Sequence, residues 1–274
     1  MKYNNEFRQI DTEEKAYFLG QAFGDGCNSK YKHNYKFMLA SIEDDLPLYQ
    51  KIQQCFPFLK LKRYASHSNM IYLECHQKAL YEDLVSLGLK SNKTKHDSTG
   101  EFHFPDIDVE YLPHFIRGYF DADGSAWYPS RHRSRNSLHI DFGCATPNFL
   151  KSLDAVLAAN DIKFTWNQRL KKASNGKFYM SYSLVSSNRA LSIKFADYIY
   201  STATIFLERK RELCYREKDL RPSAIEEYGP CPYCNGTHSR RKGIRDGKQR
   251  LKCSICNKMY AVALNHNADS DSNI

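Results

Sequence analysis

At 274 residues with 42% hydrophobic side chains, the chain is long enough to bury at least one full core, and its length favours two structural units. No stretch approaches the roughly 20 apolar residues that span a bilayer, and Met1 to Lys15 lack an apolar signal region and carry acidic residues that a transit peptide avoids; this argues against membrane insertion and secretion and for a location inside the cell, in a reducing compartment. The formal net charge is +9, of which residues 209–252, with 13 Lys or Arg against 6 Asp or Glu, supply +7; charge so concentrated points either to a polyanion, most commonly nucleic acid, or to a plainly solvated basic tail.

In chain order, a first helix is predicted from Glu13 to Gly24, with Asp11 as its cap and Glu14 at the capping-box spacing. After Gly26 a hairpin follows, clearest over Lys36 to Ser41, and Glu43-Asp44-Asp45 opens a helix to about Cys55. A second hairpin, Phe58 to Tyr64 and Asn69 to Cys75, precedes a helix from Gln77 to Leu87 that Gly88 ends. The same order recurs after Asp108: a helix to Ala122, strands Ser125 to Arg131 and Leu138 to Cys144, and a helix from Pro147 to Ala159. Strands Lys163 to Leu170 and Lys177 to Leu184 and a helix from Asn188 to Tyr200 complete it. Pro222 to Pro230 reads as a linker, and the polar run beyond Ala263 as disordered. The expected class is α+β, two αββαββα halves with antiparallel sheets over 1–105 and 106–221, a small domain over 222–262 and a tail over 263–274.

Within the second half, the stretch Lys163 to Lys172 alternates. Lys163, Thr165, Asn167, Arg169 and Lys171 share one face, and Phe164, Trp166, Gln168 and Leu170 the other. One face can pack on helices while the other is basic and hydrogen-bonding, suited either to plain solvation or to the major groove of a nucleic acid.

The two halves share a short phrase. Phe18-Leu19-Gly20-Gln21-Ala22-Phe23-Gly24-Asp25-Gly26 and Ile116-Arg117-Gly118-Tyr119-Phe120-Asp121-Ala122-Asp123-Gly124 align at an offset of 98 residues, which indicates an internal duplication. Gly20 and Gly24, like Gly118 and Ala122, stand four apart and give each helix a smooth stripe for close approach of another backbone. If the two helices pack on each other, Asp25 and Asp123 come side by side at their carboxy-terminal ends. There the macrodipole and mutual repulsion disfavour both charges, and a divalent cation would compensate; Mg²⁺ often uses one or two carboxylates with water and phosphate oxygens. Asp121, two residues earlier on another face of its helix, reads as structural.

Both phrases resemble the nine-residue signature of the LAGLIDADG homing endonucleases; Ile116 to Gly124 is a close match, and the first copy departs where Phe23 replaces the signature's earlier Asp. The resemblance covers roughly residues 10–215 and extends to Gly88-Leu89-Lys90-Ser91-Asn92-Lys93-Thr94 and Leu207-Glu208-Arg209-Lys210, which look like the basic segments closing family repeats. It implies a single-chain pseudo-dimer, most simply a monomer, whose saddle-shaped sheets straddle a long double-stranded DNA site. It further implies that Asp25 and Asp123 bind Mg²⁺ or Mn²⁺ for phosphodiester hydrolysis. Lys93 and Lys210 are candidates for stabilising developing charge. The same scaffold also serves as RNA splicing maturase, with intron RNA as partner, or as non-cleaving DNA-binding regulator; an intein is not expected.

Of nine cysteines, Cys27, Cys55, Cys75, Cys144 and Cys214 are scattered, whereas Cys231-Pro-Tyr-Cys234 and Cys253-Ser-Ile-Cys256 form two C-x2-C pairs with eighteen residues between them. That spacing supplies four thiolates for a structural Zn²⁺. Between the pairs lie Arg240, Arg241, Lys242, Arg245, Lys248 and Arg250, expected DNA contacts of what resembles a zinc ribbon.

Overall fold

The computed structural model describes residues 2–64, 69–89, 103–128, 138–144, 147–172, 176, 178–219 and 224–264. Lys93, residues 129–137, Pro222 and residues 265–274 lie outside the described residues. The chain divides into two compact units, Met1–Glu217 and Lys218–Ile274. Among the described residues no helix is long and apolar enough to cross a membrane.

The first unit carries two antiparallel four-stranded sheets of identical order. In the first half, α1 (Glu13–Gly24) leads into β1 (Gly26–Tyr31) and β2 (Asn34–Ile42). A 3-10 turn, Glu43–Asp45, enters α2 (Leu46–Cys55), followed by β3 (Lys60–Arg63), β4 (Met70–Cys75) and α3 (Lys78–Ser86); the strands lie in the order β1-β2-β4-β3. In the second half, α4 (Leu112–Asp123) leads into β5 (Gly124–Trp127), β6 (His139–Cys144) and α5 (Asn148–Ala159). Then come β7 (Thr165–Lys172), β8 (Phe178–Ser186) and α6 (Arg189–Tyr200), with the strands in the order β5-β6-β8-β7. The repeated phrase therefore marks a repeated fold, and α7 (Glu208–Asp219) closes the second half.

Alternation decides which sheet face is covered. Phe37 and Leu39 on β2, Ile71 and Leu73 on β4, and Ile140 and Phe142 on β6 are buried in one phenylalanine-rich core with both halves' helices. At the centre α1 and α4 make the most extensive helix–helix contact of the unit.

Some local expectations are corrected. Thr12, not Asp11, caps α1, its Oγ1 accepting from Lys15 N at 3.3 Å; Asp11 instead pairs with Lys15 Nζ at 2.6 Å. The position directly before the first helical residue places its oxygen over the free N–H groups, and Thr12 holds it. The segment read as a linker is also different: α8 (Ala224–Tyr228) forms within it, Ala224 is buried, and Glu227 pairs with Arg241. Proline and glycine at its ends had masked a short amphipathic turn.

The second unit is a three-stranded antiparallel sheet, β9 (Ser239–Arg245), β10 (Lys248–Cys253) and β11 (Met259–Ala263), in the order β11-β10-β9. Its core consists of Ala224, Cys231, Leu251, Cys253 and Tyr260.

Candidate metal and nucleic-acid sites

The crossing of α1 and α4 is a contact of backbones. A Cβ on Gly20 would overlap the Phe115 carbonyl oxygen and stand 2.6 Å from Tyr119 N, and one on Gly118 would overlap the Tyr17 carbonyl oxygen and stand 3.0 Å from Gln21 N. Those neighbours are themselves equivalent at the offset of 98, so the crossing is a pseudo-twofold axis. One helical turn on, a Cβ on Gly24 would overlap that of Ala122 and lie 3.3 Å from Asp123 N. The four small residues thus meet, and the stripe leads to the two acids.

Asp25 is the C-cap of α1, its N–H bonded to Gln21 O at 2.9 Å, and Asp123 is the last residue of α4. Both are exposed although their neighbours Gly24, Gly26 and Gly124 are buried. Beneath them lies Lys210, 6% exposed, whose Nζ donates to the carbonyls of Phe120 at 2.7 Å, Asp121 at 2.8 Å and Gly124 at 2.6 Å. An ammonium on the carbonyls of a helix end is favourable on both hydrogen-bonding and dipole grounds. Burial pushes Lys210 down to about 8, Arg209 adds to the push, and Asp121, Asp25 and Asp123 oppose it. Both acids therefore lie within electrostatic reach of one cation. Exposed carboxylate oxygens are the hard donors that suit Mg²⁺, and two of them at one crossing fit the group.

Asp121 is turned away from that opening. Its carboxylate accepts from Tyr17 Oη at 2.9 Å, Tyr200 Oη at 2.6 Å and Leu207 N at 2.8 Å. Burial raises its pKa, while the donors, Tyr200 first, hold the rise in check. At the equivalent place in the first half, Phe23 packs edge-on to Phe115, ring centroids 5.4 Å apart. Because Tyr17 is equivalent to Phe115 and Phe23 to Asp121, one contact occurs twice around the axis, once as Tyr–Asp and once as Phe–Phe. Phe23 is therefore a matched substitution rather than a defect in the motif.

A second buried tie crosses the halves. Arg117, fully buried, donates to Ile199 O at 2.7 Å, Ile205 O at 2.8 Å and Glu13 Oε1 at 2.6 Å, so its guanidinium is met by two carbonyls and a carboxylate.

On the uncovered face of the second sheet, Asn167, Arg169 and Lys171 line one groove with Trp127, His139, Asp141, Gly143, Ser181 and Ser183. Register explains the grouping: Asn167 faces Ser183, Arg169 faces Ser181, and Ser183 in turn faces Gly143. Lys163 is exposed but precedes β7, so it does not share this groove.

The second of the two αββαββα repeats has a match among known protein families. Residues 110–200 match the LAGLIDADG-like domain family. The LAGLIDADG-like segment is the whole run from α4 to the end of α6, so the second half carries the family pattern and the first repeats its strand order. No curated protein matches the chain. Among solved structures, the chain is similar to the LAGLIDADG meganuclease I-AabMI bound to uncleaved DNA, with 16% identity over 74% of this chain and 89% of that one and a TM-score of 0.47. It is also similar to mesophilic variants of the homing endonuclease I-DmoI, with 18% identity, 73% and 99% coverage and a TM-score of 0.46. A third, the meganuclease I-SmaMI bound to uncleaveable DNA, has 12% identity, 74% and 90% coverage and a TM-score of 0.46.

In the second unit the Sγ atoms of Cys231, Cys234, Cys253 and Cys256 all lie within 4.8 Å of one another. Cys231 to Cys256 and Cys234 to Cys253 are each 3.7 Å. A regular tetrahedron of thiolates at the usual Zn–S distance of about 2.3 Å has edges of about 3.8 Å, so the cluster fits zinc. The two knuckles share one turn: Cys231 N donates to Gly236 O and Cys253 N to Lys258 O, each at 3.0 Å. Each second cysteine is followed by an asparagine at positive φ, Asn235 at 55° and Asn257 at 59°, and this Cys-Asn repeat is visible in the sequence. Of the basic residues between the knuckles, Arg240 and Lys242 line one hollow, and Arg245, Lys248 and Arg250 another. Arg241 instead pairs with Glu227 and lies over the Tyr228 ring at 5.7 Å, which places it inside the unit's own structure.

Proposed function

We propose that the protein is a site-specific endonuclease that hydrolyses phosphodiesters on both strands of a long duplex DNA site. The single observation that carries this reading is the glycine crossing, which joins two equivalent helix ends and exposes one carboxylate from each, Asp25 and Asp123, over the buried Lys210. Mg²⁺ or Mn²⁺ held by these two carboxylates would supply an activated water and stabilise the leaving oxygen at each strand. The chain's own contribution is positional. Gly20 and Gly118 set the separation of the two helix ends, and Lys210 fixes the last turn of α4. Asn167, Arg169 and Lys171 offer donors to phosphates and base edges from the open sheet face.

In this reading 1–105 and 106–221 act as the two DNA-straddling halves, and 222–262 is a zinc ribbon that adds backbone contacts through Arg240, Lys242, Arg245, Lys248 and Arg250. Incubating the chain with a randomised duplex library in Mg²⁺ and sequencing the cut ends tests it. Cleavage at one extended site, abolished in Asp25→Asn and in Asp123→Asn with DNA binding retained, is the expected result. Full activity in either variant would overturn the metal assignment; absence of cutting together with tight intron RNA binding would turn the reading to a maturase.

A further inference from the structure

The open face of the second sheet is rich in donors, yet it holds a carboxylate. Asp141 stands on β6 opposite Ser125 of β5 and Val185 of β8, and lines the groove with Asn167, Arg169 and Lys171. Among the described residues it enters no ion pair, and its buried Oδ1 accepts no hydrogen bond. Burial raises its pKa, opposed by Lys171 and Arg169, which are therefore close enough to be felt without closing on it. Beside it the floor is bare: a Cβ on Gly143, two residues on and on the same face, would meet only Asp141 Oδ1, at 3.9 Å.

A surface shaped solely for a polyanion has no use for this arrangement. The carboxylate repels every phosphate near it, and a buried acceptor left unpaired carries its desolvation cost without return. Both costs are recovered if the bound molecule brings a neutral donor to that spot. A glycine inside a strand with clear space above it admits such a close approach. In the major groove the neutral donors are the exocyclic amino groups of cytosine and adenine, and the neighbouring guanidinium selects between them, since it matches the paired acceptors of guanine, the partner of cytosine.

We propose that Asp141 is a specificity-determining residue that accepts the N4 amino group of one cytosine, while Arg169 takes O6 and N7 of the guanine in the same base pair. This rests on the DNA reading above and goes beyond it by naming a base pair and the two side chains that choose it.

The test is selection from a random duplex library by the full-length chain and by its Asp141→Asn and Asp141→Ala variants, without added divalent cation, scored position by position and at two salt concentrations. The expected result is one C·G position in the wild-type site whose preference falls tenfold or more in Asp141→Ala. That position moves toward adenine in Asp141→Asn, because an amide pairs with adenine N6 and N7, and the other positions are unchanged. Affinity for unrelated DNA should rise in both variants as a repulsive charge is removed. Asparagine is isosteric, so that variant reports even if alanine unfolds the sheet. An enriched wild-type site whose preferences stay fixed in both variants, or a uniform loss at all positions, would overturn the assignment to Asp141 alone. A wild-type chain that enriches no sequence would overturn the DNA reading, and this assignment with it.

Discussion

Lys210 Nζ sits 2.6 Å from the carbonyl oxygen of Gly124, the residue that immediately follows Asp123. With its bonds to Phe120 and Asp121, this ammonium closes the end of α4 from below while the acid faces out above. Lys210→Met should therefore take this donor from the Asp121 and Gly124 carbonyls, at about 1 kcal/mol each, while Phe120 O keeps the Gly124 N–H, partly offset by relief of a buried charge. Urea unfolding should register a net loss of about 1–2 kcal/mol on the same basis, and DNA cleavage should fall more than DNA binding. Unchanged cleavage would separate Lys210 from the acids.

Gly118→Ala should be among the most damaging single-atom additions in the first unit, because its Cβ meets the backbone of α1, which cannot rotate away. A loss of about 2–3 kcal/mol is expected from overpacking of this kind. Gly143→Ala, with open space, provides the control and should change stability by less than about 1 kcal/mol. Equal effects in urea unfolding would mean that the crossing is looser than its geometry.

Asp45 links the start of α2 to α7: its carboxylate accepts from Arg209 at 3.0 and 3.2 Å and from Ser41 at 2.6 Å. Burial works against the carboxylate, but the bonds from Arg209 and Ser41 outweigh it and hold the pKa below the ordinary value. A depressed pKa adds stability that is complete above the unfolded value of about 3.9 and is lost as pH falls through the folded one. Asp45→Asn should thus cost about 1 kcal/mol at pH 7, discounted for the half-exposed Arg209. The gap should close as urea unfolding is followed from pH 5 down to pH 3. A gap of constant size would place the effect outside this ion pair.

Among the described residues the second unit has five buried apolar or cysteine residues at its centre, too few to hold three strands unaided. Elemental analysis should find one zinc per chain. Its removal by a chelator should expose the amides of 224–264 to hydrogen exchange while those of α1 and α4 stay protected. Protection that survives full chelation would refute a structural metal.

Much of this was legible in the sequence, for identifiable reasons. Apolar spacing and a following Gly fix α1 as Glu13–Gly24, and alternation puts Asn167, Arg169 and Lys171 on one face. The glycine stripe foretells the crossing because nothing larger than a hydrogen fits between the backbones. What the sequence hid depends on partners far along the chain. Arg117 reads as an unremarkable cation until Ile199, Ile205 and Glu13 close around it, and Lys210 as a candidate for stabilising developing charge until its bonds to the carbonyls at the end of α4 are seen. Asp141 carried no signal of its own, since an acid on an alternating strand is ordinarily solvated.

The unequal contacts around the axis, Tyr17 with Asp121 on one side and Phe23 with Phe115 on the other, make the duplication one-way. Two copies of the second half brought together would set each Asp121 against a phenylalanine ring, a buried carboxylate that keeps Tyr200 and Leu207 N but loses the Tyr17 hydroxyl. Two copies of the first half would set each Phe23 against a tyrosine hydroxyl. Each half therefore recognises the other and rejects its own likeness, which keeps the pair in a fixed order and leaves their two sheets free to drift apart in sequence.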